Sequence, residues 1–162
     1  MHSFFHKMIK YKVPSEVRVL FIIHYMPLLL IIFVGPLTFL KGVYKIFATY
    51  TIPMIMGGIL LIVGYGIFIS WSIFWAKNYH GQLVTTGPFK HVRHPHYTSI
   101  LILGFGLALF SNSSLALIIA IVAIPIMIIS IIDEEKELIR KYGERYKKYT
   151  KEVPYRLIPK IF

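Results

Sequence analysis

Cysteine is absent from the 162-residue chain. Disulfide frameworks and thiolate metal sites are excluded with it, and the redox compartment is left open. Charge is scarce too, at 15% of residues, and acid is the scarcer sign, with seven Asp and Glu against 18 Lys and Arg. No G-x-G-x-x-G opens a helix after a strand, which removes a Rossmann nucleotide fold. What fills the chain is apolar: 56% of residues are hydrophobic and the mean hydropathy is +0.66. A soluble domain of this length cannot hide so much apolar surface. The sequence therefore predicts one membrane domain over residues 1–162.

Four apolar segments stand out, at about 17–40, 52–76, 97–110 and 115–132. A helix needs roughly 20 apolar residues to cross the hydrocarbon core. The first two segments meet that, the fourth just does, and the third is short. The basic start "MHSFFHKMIKYKVPSE" is followed by no small-residue cleavage site in the usual place, which predicts a retained first span. "SNSS" at residues 111–114 reads as a turn, making the last two segments a helical hairpin. Pro27, Pro36 and Pro125 predict kinks or helix ends. The expected fold is all-α: about four transmembrane helices, then an interfacial C-terminal helix.

With four spans, sixteen Lys and Arg fall on one side and only Lys41 and Lys45 on the other. The positive-inside rule then puts both termini in the cytoplasm. It assigns the net charge of +11 to a face beside anionic lipid headgroups, and nucleic acid is not expected as a partner. The same topology brings two polar clusters to one side: "GPFKHVRHPHYTS" at residues 87–99 and "DEEKE" at 133–137. A pocket at the end of a bundle suits a ligand arriving from water and a substrate arriving from lipid.

His80, His91, His94 and His96 invite a zinc reading. No cysteine or H-x3-H helix pair supports it and Pro95 breaks the spacing, so no metal is expected. Glu134 and Glu135 end a membrane helix, and residue content alone leaves solvated and functional readings even. They point about 100° apart, so only one faces a given pocket squarely. Gly57, Gly58, Gly64, Gly66, Gly104 and Gly106 suggest close helix approach. Trp71 and Trp75, one turn apart, read first as interface anchors and second as an aromatic wall for a cation. Leu138, Tyr142, Tyr146 and Tyr149 mark one face of an amphipathic helix ended by Pro154 and Pro159.

Three elements in order, "LVTTGPFKHVRHPHY", the Glu134–Glu135 pair and "YGERYKKYTKEVP", resemble the isoprenylcysteine carboxyl methyltransferase family and the related phospholipid N-methyltransferases. The resemblance covers roughly residues 80–160, and "GFG" at 104–106 resembles the GxG of the phospholipid enzymes. It implies a helical bundle that binds S-adenosylmethionine at the cytoplasmic face. Carried over by motif position, Gln82, Leu83, Val84, Phe89, His94, Pro95, His96, Tyr97 and Glu134 surround the cofactor. Glu134 and Glu135 are the candidate catalytic groups. The implied acceptor is a lipophilic molecule from the bilayer, first the carboxylate of a prenylated cysteine and next a phospholipid headgroup amine. A non-enzymatic membrane scaffold is the reading from a different class. This chain departs from the prenylcysteine pattern at Ser130, where an arginine suited to grip a carboxylate is usual, and at Glu152, where a basic residue is usual. Ser99 follows the "RHPxY" motif in place of a small glycine.

Overall fold

The computed structural model describes residues 15–162, with side chains from residue 25 onward. Lys7, Lys10 and Lys12 of the basic start, and the side chain of Arg18, lie outside the described residues. Among the described residues five α-helices follow one another: α1 (Ser15–Lys41), α2 (Thr51–Asn78), α3 (Pro95–Phe110), α4 (Ser114–Tyr142) and α5 (Glu144–Glu152). A 3-10 turn at Gly87–Lys90 separates α2 from α3.

The apolar runs became helices close to where the hydropathy put them. α2 and α4, with 28 and 29 residues, are long and apolar enough to cross a membrane. The described apolar part of α1 (Tyr25–Lys41) and α3 are shorter. At 16 residues, α3 is about 24 Å long. Leu29, Phe33, Leu40, Ile62, Ile121 and Ile129 stay exposed on the outer faces of α1, α2 and α4, the surface a bilayer would cover. The chain is a helical membrane protein. Pro27, Pro36 and Pro125 sit inside continuous helices rather than at their ends.

α3 is the central element, packed against α1, α2 and α4. Glycine sets its distance from α2. A Cβ at Gly57 would run into the backbone of Phe110, one at Gly64 would meet the Leu103 side chain at 3.0 Å, and one at Gly106 would meet Leu61 at 3.1 Å. The "GFG" of α3 lies mid-helix with both glycines buried, where Gly104 faces Ile31 of α1 and Gly106 faces α2. Gly58 and Gly66 have nothing within 4 Å and take no part in this approach.

The loops sort into two ends. At one, the α1–α2 loop joins the turn before α4: the Ile46 amide donates to the Asn112 carbonyl, and buried Asn112 donates to the Phe47 carbonyl at 2.9 Å. Thr38 donates to Ser113, whose hydroxyl accepts from Ala116 and caps α4. At the other end lie the α2–α3 segment, the last turns of α4, α5 and the C-terminal tail. Arg93 and His94 amides donate to the Tyr155 and Arg156 carbonyls, both at 2.9 Å, so the tail straps the entrance to α3.

Two expectations for the C-terminal region need revision. α4 runs ten residues past Ile132, because "DEEKELIRKY" is rich in helix formers and carries i,i+3 ion pairs such as Lys136–Asp133. The expected single helix through Leu138, Tyr142, Tyr146 and Tyr149 is broken at Gly143, whose φ of 55° and ψ of −130° suit glycine. The four residues still share one cluster, since the turn swings α5 back against α4.

Candidate active site

His94 and Pro95 begin α3, where proline fits the first turn without losing a hydrogen bond. Glu134 and Glu135 lie near the end of α4. The hairpin brings them together, with His94 between the two carboxylates. Its Nε2 is 3.3 Å from Oε1 of Glu135, and its Nδ1 is 3.7 Å from Oε2 of Glu134. A neutral imidazole donates from one ring nitrogen only, and a protonated one donates from both.

The two glutamates have different surroundings. Glu135 is buried and its oxygens are occupied. Arg93 Nε donates to Oε1 at 2.8 Å, and Arg156 Nε and Nη2 donate to Oε2 at 3.1 and 2.9 Å. Arg93 is itself buried, and its Nη1 donates to the Val153 carbonyl at 2.7 Å. A buried ion pair offsets the large cost of desolvating its charges only with such added hydrogen bonds. The Glu134 side chain is 44% exposed and accepts a hydrogen bond from the Tyr97 hydroxyl. It is the open carboxylate of the pair.

An aromatic column borders this network. Trp71 and Trp75 lie along one side of α2 and Tyr79, just past its end, continues the column, stacked on Trp75 with ring centres 4.3 Å apart. His96 packs on Trp71 at 4.2 Å and bonds the Tyr25 hydroxyl of α1. Phe89 lies 5.8 Å from Trp75. Leu83, Val84 and Phe89 are buried in one cluster with Tyr146 and Tyr149 of α5. Such aromatic pairs add about 0.5–1.5 kcal/mol beyond area burial.

Within α5 the two buried phenols differ. Tyr149 donates to the Phe89 carbonyl at 2.7 Å. Tyr146, 1% exposed, has no hydrogen-bond partner for its hydroxyl among the described residues. Burial pushes both phenols up from the usual tyrosine range, and the Glu135 carboxylate adds to the effect on each. Leaving a buried hydroxyl unpaired costs about 1–3 kcal/mol.

Leu83, Val84, Phe89, His94, Pro95, His96, Tyr97, Glu134 and Glu135 thus gather at one end of the bundle. Gln82 stays on the exposed rim, its amide donating to the Asn78 carbonyl at 3.1 Å. Of the other histidines, His80 and His91 are exposed. Sequence reasoning did not single out Arg93 as the partner of Glu135, nor Arg156, nor Tyr146. Arg93 stands beside His94 in the motif, which was a usable signal. Arg156 belongs to a segment with no local pattern of its own, and Tyr146 was legible only as one position on the apolar face of the C-terminal helix. Ser130, buried, spends its hydroxyl on the Ile126 carbonyl.

A phospholipid methyltransferase family model matches residues 32–145, most of the chain and most of this site. The chain belongs to that family. It is also similar to a Delta(14)-sterol reductase of Mus musculus, with 30% identity over 83 residues, half of this chain. The chain spans a fifth of that relative's length. No solved structure matches the chain.

The residues present fit S-adenosylmethionine as a cofactor. Adenine wants the aromatic and apolar surface of Trp75, Phe89, Leu83 and Val84. The methionine end, with its ammonium and carboxylate, wants the paired charges of the Glu134, Glu135 and arginine network. Tyr146 packs with Leu83, Val84 and Phe89 in the apolar cluster.

Proposed function

We propose that this protein is an integral membrane methyltransferase that uses S-adenosylmethionine to methylate a lipophilic acceptor at the cytoplasmic face. The observation that carries the reading is the meeting of His94, Glu134 and Glu135 beside an aromatic wall at the end of an apolar bundle. Leu83, Val84, Phe89, His94, Pro95, His96 and Tyr97 would hold the cofactor with Glu134, and Gln82 would reach it from the rim. Bound there, the cofactor supplies a sulfonium-activated methyl group.

The chain's own work is positioning and exclusion of water, which dominate an in-line displacement. α5 and the tail cover the site from the aqueous side. Glu135, held by Arg93 and Arg156, fixes the ring of His94 and the entrance to α3. Its oxygens are committed, which makes it a positioning residue. Glu134, open and hydrogen-bonded to Tyr97, faces the cationic group or takes a proton from the acceptor. An apolar groove between α1 and α4, lined by Met26, Pro27, Leu30, Val122 and Ile126, offers the acceptor's chain a lateral seat.

The acceptor best suited to this arrangement is an amine headgroup. An amine must lose a proton, and Glu134 is an open base, while Ser130 offers a carboxylate no guanidinium. The prenylated cysteine carboxylate, which the tail motif favours, is the second reading. It is supported by Arg156, whose side chain is 33% exposed and could offer its remaining N–H groups. Purified protein with methyl-labelled cofactor, offered phosphatidylethanolamine or a farnesylcysteine analogue, decides between them. Label in the amine lipid is expected; label in farnesylcysteine establishes the second reading. Failure to bind S-adenosylhomocysteine at millimolar concentration favours a scaffold and overturns both.

A further inference from the structure

We infer that the Tyr146 hydroxyl is a ligand contact, hydrogen-bonded to the bound S-adenosyl cofactor at the seam between the aromatic cluster and the carboxylate network. This rests on the methyltransferase reading above.

Three observations converge on that oxygen. First, the residue is 1% exposed and its hydroxyl has no hydrogen-bond partner among the described residues. Phenylalanine would fill the same apolar space without the penalty, so the hydroxyl is not explained by packing. Second, Tyr149 is an internal control. It lies on the same helix, equally buried, and its hydroxyl is satisfied by the Phe89 carbonyl. A phenol serving only the fold of α5 finds its partner inside the fold.

Third, Tyr146 packs with Leu83, Val84 and Phe89, while its hydroxyl feels the charges of Glu135, Arg93 and Glu134. Val153 belongs to the same cluster and its carbonyl accepts from Arg93 Nη1, so the apolar cluster abuts the charged network at this point. A ligand with a flat aromatic end and a charged end, bound across the two, passes this oxygen. The phenol can donate or accept there, and so suits either a hydroxyl or a carboxylate of the ligand. Gly143 makes the placement possible, because the turn folds α5 back onto the helix that carries both glutamates.

The test compares wild-type protein with Tyr146→Phe and Tyr149→Phe, each full-length and purified in detergent. S-adenosylhomocysteine affinity is measured by calorimetry and ligand-free stability by thermal unfolding. Tyr146→Phe is expected to bind about five- to tenfold more weakly and to unfold at the wild-type temperature or above. Tyr149→Phe, which loses a formed hydrogen bond, is expected to unfold at a lower temperature. Wild-type affinity in Tyr146→Phe overturns the inference and leaves the methyltransferase reading standing. So does a ligand-free destabilisation of Tyr146→Phe equal to that of Tyr149→Phe. A wild-type protein that binds no S-adenosylhomocysteine overturns the underlying reading.

Discussion

Arg93 Nε lies 2.8 Å from Oε1 of Glu135, joining two residues 42 positions apart in the chain. Both are buried, and Arg93 also bonds the Val153 carbonyl. One guanidinium thus ties the entrance of α3 to the end of α4 and to the tail.

Removing one member of this pair should be severe, because the other charge is left buried and uncompensated. Arg93→Ala is expected to cost about 3–5 kcal/mol of stability. The double variant Arg93→Met with Glu135→Leu should recover much of that loss. Thermal unfolding in detergent checks both, and a double variant no more stable than Arg93→Ala counts against the ion-pair explanation.

The two glutamates should separate in their effects. Glu134→Gln is expected to weaken S-adenosylhomocysteine binding severalfold while changing stability by no more than about 0.5 kcal/mol, as exposed positions usually do. Glu135→Gln is expected to lower stability first, since two arginines lose their counter-charge. Calorimetry paired with unfolding on the same samples reads this out, and equal stability loss in both variants would refute the division of roles.

Gly57 and Gly58 form a matched pair for the α2–α3 contact. Gly57→Ala pushes a methyl into the Phe110 backbone and should cost about 1–3 kcal/mol. Gly58→Ala meets open space and should be neutral or stabilising by up to about 1 kcal/mol through helix propensity. Equal effects at the two positions would contradict the close approach.

Alkaline pH should destabilise the fold through α5. Burial raises Tyr146 and Tyr149 above the ordinary phenol value, so the folded protein keeps protons that the unfolded chain releases above pH about 10. This contribution is fully present below that pH and is lost as pH rises beyond it. The unfolding midpoint should therefore stay level to about pH 10 and then fall. A midpoint unchanged at higher pH would show that neither phenol is protected.

The absence of cysteine makes membrane sidedness directly testable. A single cysteine replacing Lys45 should react with an impermeant maleimide added outside cells. One replacing exposed Arg145 should react only after the membrane is opened. The reverse pattern would invert the proposed orientation and place the candidate site outside.

Much of the fold was legible because bilayer-crossing helices announce themselves by local composition. The runs around residues 52–76 and 115–132 needed no partner to be read as helices, and the Ser111–Ser114 turn implied the hairpin. The short third segment was legible for the same reason, and its ends proved to be the Arg93–His94 strap and the Asn112 clamp. The end of α4 was less legible. Charged helix formers after Ile132 extend a helix without changing hydropathy in its favour, and one glycine then breaks it.

The candidate site divides along the same physical line. The motifs in the sequence led to the expectation that His94, Tyr97 and Glu134 belong together, and the charge count to the expectation that their end of the bundle faces the cytoplasm. Only the tertiary structure decided which glutamate is occupied and which is open. That depends on Arg93 and Arg156 arriving from two other segments, and burial of a charge is a property of its neighbours in space. The orphaned hydroxyl of Tyr146 is the same kind of fact, since a hydrogen bond is missed or made only once every surrounding group has been placed.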